Sequence, residues 1–443
     1  MHRRILVLWL LLLTACVAPL PVATTTPGTA TDTPATPTNP SEPTATSAPE
    51  AAAPSATPAA TSAAQVVPTG GELLLLSGGD LVGVAITDGS RRTILSGVTA
   101  FRAAPDGQTI AAIRGSGATG ELWLVRRDAT DAHQLTDDNR SLATLAWFPD
   151  SSGFVYAASS ADSGQQTTWL EWAAFCREST VVARTLTAPQ EVALGEGCDP
   201  AISPDGKRIA YASRPTRSDP SAADPGFTAG NTIHLINAAG QNGWDPVRAT
   251  GGETGQPGQG MVAYLPSWSA DGSALYVNLF IGMRVETDIN LLVRVDAHDA
   301  TSQLLDSTAG WQRSVSAAPD NTRYLVTTQN VGNARGSTGW DVWQAAFATT
   351  SGSRDVYLPD GSFPAVGSPL GEVLHRAQHS AWNPSGTAVA VVLPPEWNAG
   401  IAPNEDYGHV GEPGEVWLWE PGGVPAQKIT APVDDGSPIQ WLP

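Results

Sequence analysis

The chain has 443 residues, of which 24 are Lys or Arg and 43 are Asp or Glu, so its formal net charge is −19. This acidic excess argues against a nucleic-acid-binding protein, because sequence-independent binding needs a basic face that displaces counterions. Glycine (44) and proline (36) are abundant and only 15% of residues are charged, which favours short strands and frequent turns over helices. Three cysteines are too few for a disulfide-dense scaffold or a four-cysteine zinc site.

Residues 1–16 have the pattern of a secretory signal peptide. A short basic region, His2 to Arg4, precedes an apolar run from Ile5 to Leu13 that is well short of the ~20 residues a membrane-spanning helix needs. The sequence Leu-Thr-Ala-Cys ending at Cys16 resembles the processing box of bacterial lipoproteins. The resemblance implies lipidation of Cys16, which would anchor the protein in membrane lipid on the extracytoplasmic side of the bacterial cell envelope. An ordinary secretory signal with an incidental cysteine is the alternative.

Residues 17–69 are dominated by Thr, Pro, Ala and Ser and contain only Asp32, Glu42 and Glu50 as charged residues. Such a segment lacks the apolar side chains needed to offset the entropy of ordering its backbone, so we expect it to be disordered. Frequent proline favours polyproline II conformation. The composition therefore predicts a stalk that holds the following domain away from the membrane.

From residue 70 to residue 443, one pattern recurs: an apolar strand, a Pro-Asp-Gly turn or a variant of it, and a second apolar strand. Proline sets φ for a turn, Asp bonds its own backbone and Gly adopts positive φ. The turn positions are Pro105, Pro149, Pro204, Ala270, Pro319 and Pro384. The shortest interval, from Pro105 to Pro149, is close to the ~40–45 residues of a four-stranded propeller blade.

The two ends of this region complement each other. The segment that begins at Glu72 supplies second, third and fourth strands without a first strand, and Pro438–Pro443 supplies a first strand alone. The pattern therefore predicts an all-β fold: a seven-bladed β-propeller of four-stranded blades, closed by pairing of the N- and C-terminal strands. A β-sandwich with coincidental turns is the alternative.

The repeats resemble the TolB-like, WD40-like (PD40) β-propeller repeat, whose hallmark is Trp-Ser-Pro-Asp-Gly before an apolar strand. The match is visible at Trp268-Ser-Ala-Asp-Gly272, where Ala270 replaces proline, and further departures are Asn321 for Gly and Ser385 for Asp. The resemblance covers about residues 70–443. It implies the propeller fold and no particular function.

Long connections are predicted at one end of the blades, where second strands join third strands and where one blade leads to the next. We call this the long-connection end, and the end that carries the Pro-Asp-Gly turns the turn end. The long segments are residues 159–180, 214–230, 251–265, 329–339, 359–378 and 394–413. Because loops on a rigid scaffold commonly carry function, we expect binding at this end. Loop insertion without function is the alternative.

Cys176 and Cys198 both map to the long-connection end. Outside the cytoplasm these cysteines are expected to form a disulfide, which would stabilise the fold by ~3 kcal/mol in the chain-entropy model. Two unpaired thiols are the alternative.

Several side chains in the long connections are candidate ligand-binding groups. Trp169 and Trp397 suit stacking on a sugar or peptide. Arg214, Arg217 and Arg284 suit an anionic ligand, or else bridge nearby acidic residues.

A candidate metal site comprises His375, His379 and His409, with Asp406 and Tyr407 in the same long connection as His409. The spacing of His375 and His379 brings the two imidazoles together only if that segment is helical. Hydrogen-bonding loop histidines are the alternative.

The sequence contains no G-x-S-x-G elbow, Gly-rich phosphate loop or HExxH motif, so no catalytic residue is assigned. We therefore predict a non-catalytic binding or interaction scaffold for a protein, peptide or glycan, with no cofactor. A metal-dependent polysaccharide lyase or hydrolase that uses the three histidines is the alternative, and a purely structural envelope protein is a third.

Overall fold

The computed structural model describes residues 71–443 except for a set of connections. Those connections are residues 117–118, 161–168, 189, 218–227, 251–259, 283–288, 310, 320–322, 332–340, 350–372, 376–378, 394–412, 421–426 and 435–436. The predicted signal peptide, Cys16 and the stalk lie outside the described residues. The described part is nearly all β, with one helix, which confirms the all-β prediction. None of its helices is long and apolar enough to cross a bilayer.

Antiparallel sheets of four strands follow one another along the chain. Sheet A contains β1 (Glu72–Ser77), β2 (Asp80–Ala85) and β3 (Arg91–Ser96). Sheet B contains β4 (Val98–Ala103), β5 (Thr109–Ser116), β6 (Thr119–Arg126) and β7 (His133–Gln134). Sheet C contains β8 (Ser141–Trp147), β9 (Gly153–Ser159), β10 (Ser179–Thr185) and the first half of β11 (Glu191–Ile202); helix α1 (Trp169–Glu178) lies between β9 and β10.

The second half of β11 begins sheet D, so the strands of sheets C and D form one continuous hydrogen-bonded sheet. Sheet D continues with β12 (Arg208–Ser213), β13 (Thr216–Arg217), β14 (Thr228–Asn237) and β15 (Trp244–Thr250). Sheet E contains β16 (Gly260–Trp268), β17 (Ala274–Gly282), β18 (Ile289–Asp296) and β19 (Ser302–Ala309). Sheet F contains β20 (Trp311–Ala317), β21 (Arg323–Val331), β22 (Asp341–Thr349) and β23 (Val373–His375). Sheet G contains β24 (Ser380–Trp382), β25 (Val389–Leu393), β26 (Gly414–Trp419) and β27 (Gln427–Val433). The last strand, β28 (Gln440–Leu442), joins sheet A beside β1.

The repeated turns have the geometry that their residues dictate. The amide of Gly206 donates to the carbonyl of Ser203 at 2.8 Å, and Gly206 has φ of 70°. The side chain of Asp205 accepts the amide of Lys207 at 3.1 Å, which closes an Asx turn. Where Ser151 stands in place of glycine, its φ is still 59°. The turn prediction is confirmed, and it fixes where each first strand ends.

Buried apolar side chains fill the space between each sheet and the next, and also between sheets G and A. Seven clusters share this arrangement. In the order A–B, B–C, C–D, D–E, E–F, F–G and G–A, the clusters include Leu74 and Phe101, Ile113 and Phe154, Val181 and Ile209, Ile233 and Val277, Tyr276 and Val315, Leu325 and Val391, and Val392 and Val84. Burial of these faces against one another is the main favourable term in folding.

Tryptophans in the first strands join consecutive sheets by hydrogen bonds as well. The indole N–H of Trp147 in sheet C donates to the carbonyl of Arg102 in sheet B at 2.8 Å. Two further indoles repeat this contact: Trp268 donates to Ala201 and Trp382 to Ser316, both at 3.1 Å. These three side chains are only 7–8% exposed, so each first strand is fixed to the first strand of another sheet by both packing and a directional bond.

One of the six long segments departs from the predicted arrangement. Residues 359–378 were expected at the long-connection end, but β23 pairs with β22 and is the fourth strand of sheet F. The connection between β22 and β23 therefore joins a third strand to a fourth, which places it at the turn end. The prediction failed because three residues, Val373–His375, are too short a strand to stand out in the sequence.

The indole bond predicts a specific stability effect. Replacing Trp147 with Phe retains a buried aromatic ring but deprives the Arg102 carbonyl of its donor, so we expect a loss of about 1–3 kcal/mol. Trp244→Phe is the matched control: Trp244 is 36% exposed on β15, and its loss should stay within about 0.5 kcal/mol. Urea unfolding of the full chain measures both; equal effects would contradict the role of the bond.

Candidate functional site

The long-connection end of sheets C, D and E is built on bulged first strands. The pairing register shifts between Ala143 and Ala146 in β8, and comparable shifts occur in β11 and β16. At each shift one residue has positive φ: Thr144 at 54°, Asp199 at 53° and Leu265 at 44°. An extra residue of this kind bends a strand and redirects its side chains.

Asp199 connects these three bulges. Its carboxylate accepts the indole N–H of Trp172 at 2.7 Å, the amide of Leu265 at 3.1 Å and the hydroxyl of Thr144 at 3.3 Å. The residue is only 2% exposed. Burial raises the pKa of Asp199, and the three hydrogen bonds offset part of that rise. One carboxylate therefore holds sheets C, D and E and helix α1 in a single arrangement.

Helix α1 is fastened to the same place by a disulfide. Cys176 in α1 and Cys198 in β11 are bonded, with Cα atoms 5.0 Å apart, and both are fully buried. The disulfide predicted from the sequence is therefore present. Trp172 and Phe175 of α1 are 1% exposed and belong to the same apolar cluster.

The helix itself was missed by the sequence reading, which treated residues 159–180 as a loop and Trp169 as a loop residue. Trp169 is instead the first residue of α1. A signal was present: residues 169–178 contain no glycine, proline or β-branched residue, and Trp172, Phe175 and Cys176 recur at the spacing of one helix face.

Of the three candidate arginines, Arg214 is engaged by a neighbouring acid. Its guanidinium lies 3.1 Å from Glu196, and its amide donates to the carbonyl of the same residue at 3.3 Å. Both side chains remain well exposed, at 44% and 66%. Arg217 lies in β13, opposite Thr228 of β14. Arg284 lies outside the described residues.

The candidate metal ligands do not form the expected helical pair. His375 ends strand β23 of sheet F, whereas His379 immediately precedes β24 of sheet G and accepts the amide of Val392 through its carbonyl at 2.9 Å. Spacing of i and i+4 therefore does not place the two imidazoles on one helix face. His409, Asp406, Tyr407 and Trp397 lie outside the described residues. Within the described part of the chain, no group of three or more His, Cys, Asp or Glu side chains could hold a metal ion, and the metal site stays a prediction.

One row of side chains crosses all the first strands at the same height. Each member lies three residues before the turn proline or its equivalent, and each pairs directly with a second-strand residue that is at most 1% exposed. We call this set the first-strand row: Arg102, Ala146, Ala201, Ser267, Ser316, Ala381 and Gln440. Although their partners are buried, all seven members are partly or well exposed. Water therefore reaches the free edge of every first strand.

Comparison with known proteins yields fold similarity alone. No known family profile and no curated protein matches the chain. Crystal structures that resemble it include TolB from Acinetobacter baumannii, with 11% identity over 84% of this chain and 81% of that one and a TM-score of 0.42. Another is oligogalacturonate lyase from Vibrio parahaemolyticus, with 10% identity over 73% of this chain and 81% of that one and a TM-score of 0.47. The assignment of a β-propeller arrangement rests on the strand order and the repeated turns.

The buried carboxylate predicts a defined pH dependence. Because the folded-state pKa of Asp199 lies above its ordinary value of 3.8, its contribution to stability is complete below that value and is lost as pH rises through the raised pKa. Asp199→Asn keeps an oxygen for Trp172 and Leu265 and offers its amide to Thr144, without a charge. We expect the variant to gain on the wild type from about pH 4 to neutrality, where it becomes the more stable.

Urea unfolding of both proteins across this pH range checks the expectation. Asp199→Ala is the companion variant: it leaves buried donors without an acceptor and should cost about 1–3 kcal/mol for each one, at every pH. A wild type that stays more stable than Asp199→Asn at neutral pH would contradict the account.

Proposed function

We propose that the protein is a lipid-anchored binding scaffold of the bacterial cell envelope. In this proposal residues 70–443 form a closed seven-bladed propeller, and its long-connection end binds a protein, peptide or glycan without catalysis. Residues 1–16 direct export and end in the acylated Cys16, and residues 17–69 are the stalk. No cofactor is required.

Closure of the propeller is supported by contacts between the two ends of the described chain. Strand β28 pairs with β1 in antiparallel register, with Leu73 opposite Trp441. The hydroxyl of Ser437 accepts the amide of Leu76 at 2.7 Å, and the Gln440 side chain accepts the amide of Ala103 at 2.6 Å. The apolar cluster between sheets G and A completes a cycle of seven contacts. A closed cycle leaves no first or last sheet with an unpaired face.

The observation that carries the binding proposal is the bracing of the long-connection end. Asp199 joins three sheets and α1 through one carboxylate, and the Cys176–Cys198 bond fixes α1 to β11. A surface held rigid before binding loses less entropy when a ligand docks. Arg214 and Glu196 stand exposed beside this braced region and offer both charges to a partner.

The two ends of strand β12 allow a matched test of where binding occurs. Arg214 follows β12 at the long-connection end, and Lys207 precedes it at the turn end; both are well exposed. We expect a photo-crosslinking residue at position 214 of the full chain to capture a partner in the native envelope, and the same residue at position 207 to capture none. Equal capture, or capture at position 207 alone, would overturn the assigned surface.

The anchor and the absence of catalysis are tested on the same full-length protein. Cys16→Ser should abolish labelling by radioactive fatty acid and release the protein from the membrane fraction, with its thermal melting unchanged. Retention of the unlabelled variant in the membrane would show that the anchor lies elsewhere. A stoichiometric transition metal in the purified protein, lost in His379→Ala, would favour a metal-dependent lyase or hydrolase instead.

A further inference from the structure

Arg102 is the one charged member of the first-strand row. The other six are Ala146, Ala201, Ser267, Ser316, Ala381 and Gln440, all of them neutral and five of them small. An arginine at a level otherwise lined by alanine and serine has room around its guanidinium that larger neighbours would fill.

Arg102 has no ionic partner in the described part of the chain, where no carboxylate lies within salt-bridge distance of its guanidinium. This is unusual in a protein with 43 acidic and 24 basic residues. The residue is exposed to water, yet surrounding protein desolvates it and lowers the pKa of its guanidinium. A side chain that projects into a narrow water-filled space has both properties. An unpaired, partly desolvated cation is costly unless a ligand supplies the anion.

The remaining polar groups of the row are neutral and include free donors. The Oε1 atom of Gln440 accepts the amide of Ala103 at 2.6 Å, which leaves its Nε2 group to donate to a ligand. The hydroxyl of Ser267 is buried and has no hydrogen-bond partner among the described residues. The nearest carboxylate in sequence, that of Asp106, accepts the amide of Gln108 in its own turn at 2.8 Å.

We propose that Arg102 is the anion-recognising group of a second binding site, enclosed by the first strands, for a small monocarboxylate that also carries hydroxyl groups, such as a sugar acid. This site rests on the closed ring of the proposed function but is separate from the long-connection end. The guanidinium fork matches a carboxylate with two parallel hydrogen bonds. The net charge of −19 disfavours ligands of higher negative charge, and the amide and hydroxyl donors of the row suit sugar hydroxyls.

The test titrates glucuronate into the full-length protein by calorimetry and follows the melting temperature in parallel. Arg102→Gln should weaken glucuronate binding at least tenfold and abolish the rise in melting temperature. Its own melting temperature without ligand should equal or exceed that of the wild type. Arg126→Gln is the matched control, because Arg126 is exposed at the end of β6 and outside the row; its affinity should stay within twofold of the wild type.

Glucose, acetate and inorganic phosphate separate the contributions of the ligand groups. We expect glucose, which lacks the carboxylate, not to bind, and acetate and phosphate to bind more weakly than glucuronate. Binding of glucuronate that survives Arg102→Gln, or no binding to the wild type, overturns the site. Hydrogen exchange of β1 in the same samples assigns such a failure: protected β1 amides mean that the site alone is wrong, and unprotected ones mean that the ring is wrong as well.

Discussion

The pairing of β28 with β1 is the interaction on which the rest of the structure depends. It joins residues more than three hundred positions apart in sequence, and charged groups reinforce it. Glu72 of β1 accepts Arg92 at 2.8 Å and Arg127 at 2.7 Å. Arg127 also donates to the carbonyl of Pro443 at 3.2 Å. The same few residues thus connect the start of sheet A, its last strand and the neighbouring sheet B, and every contact between sheets G and A follows from their position.

The sheets are joined mainly through their first strands, where packing and hydrogen bonds repeat from one unit to the next. The indole bonds of Trp147, Trp268 and Trp382 fix the relative height of the strands. Given that height, the first-strand row becomes a level set of side chains, and the bulges at Thr144, Asp199 and Leu265 meet at one end. Both proposed binding regions are therefore consequences of the same repeated geometry.

Local chemistry explains why much of the fold was predictable. The Pro-Asp-Gly turns, the buried tryptophans and the Cys176–Cys198 pair depend on residue types at short range or on compartment, and these predictions hold. Helix α1 was missed, although its apolar stripe was readable, because the surrounding pattern favoured strands. The role of Asp199 could not be predicted, since its three donors come from distant segments that only the folded sheets bring together. The unpaired state of Arg102 is likewise a property of the folded surroundings.

Hydrogen exchange of the full chain, compared with a chain that lacks residues 440–443, tests the closing interaction most directly. The account predicts that the amides of β1 are protected to the level of internal strands such as β5 in the full chain. Deletion should remove protection from β1 and from sheet G together, because the cluster between sheets A and G loses Trp441. Protection of β1 that is the same with and without residues 440–443 would contradict the closed ring.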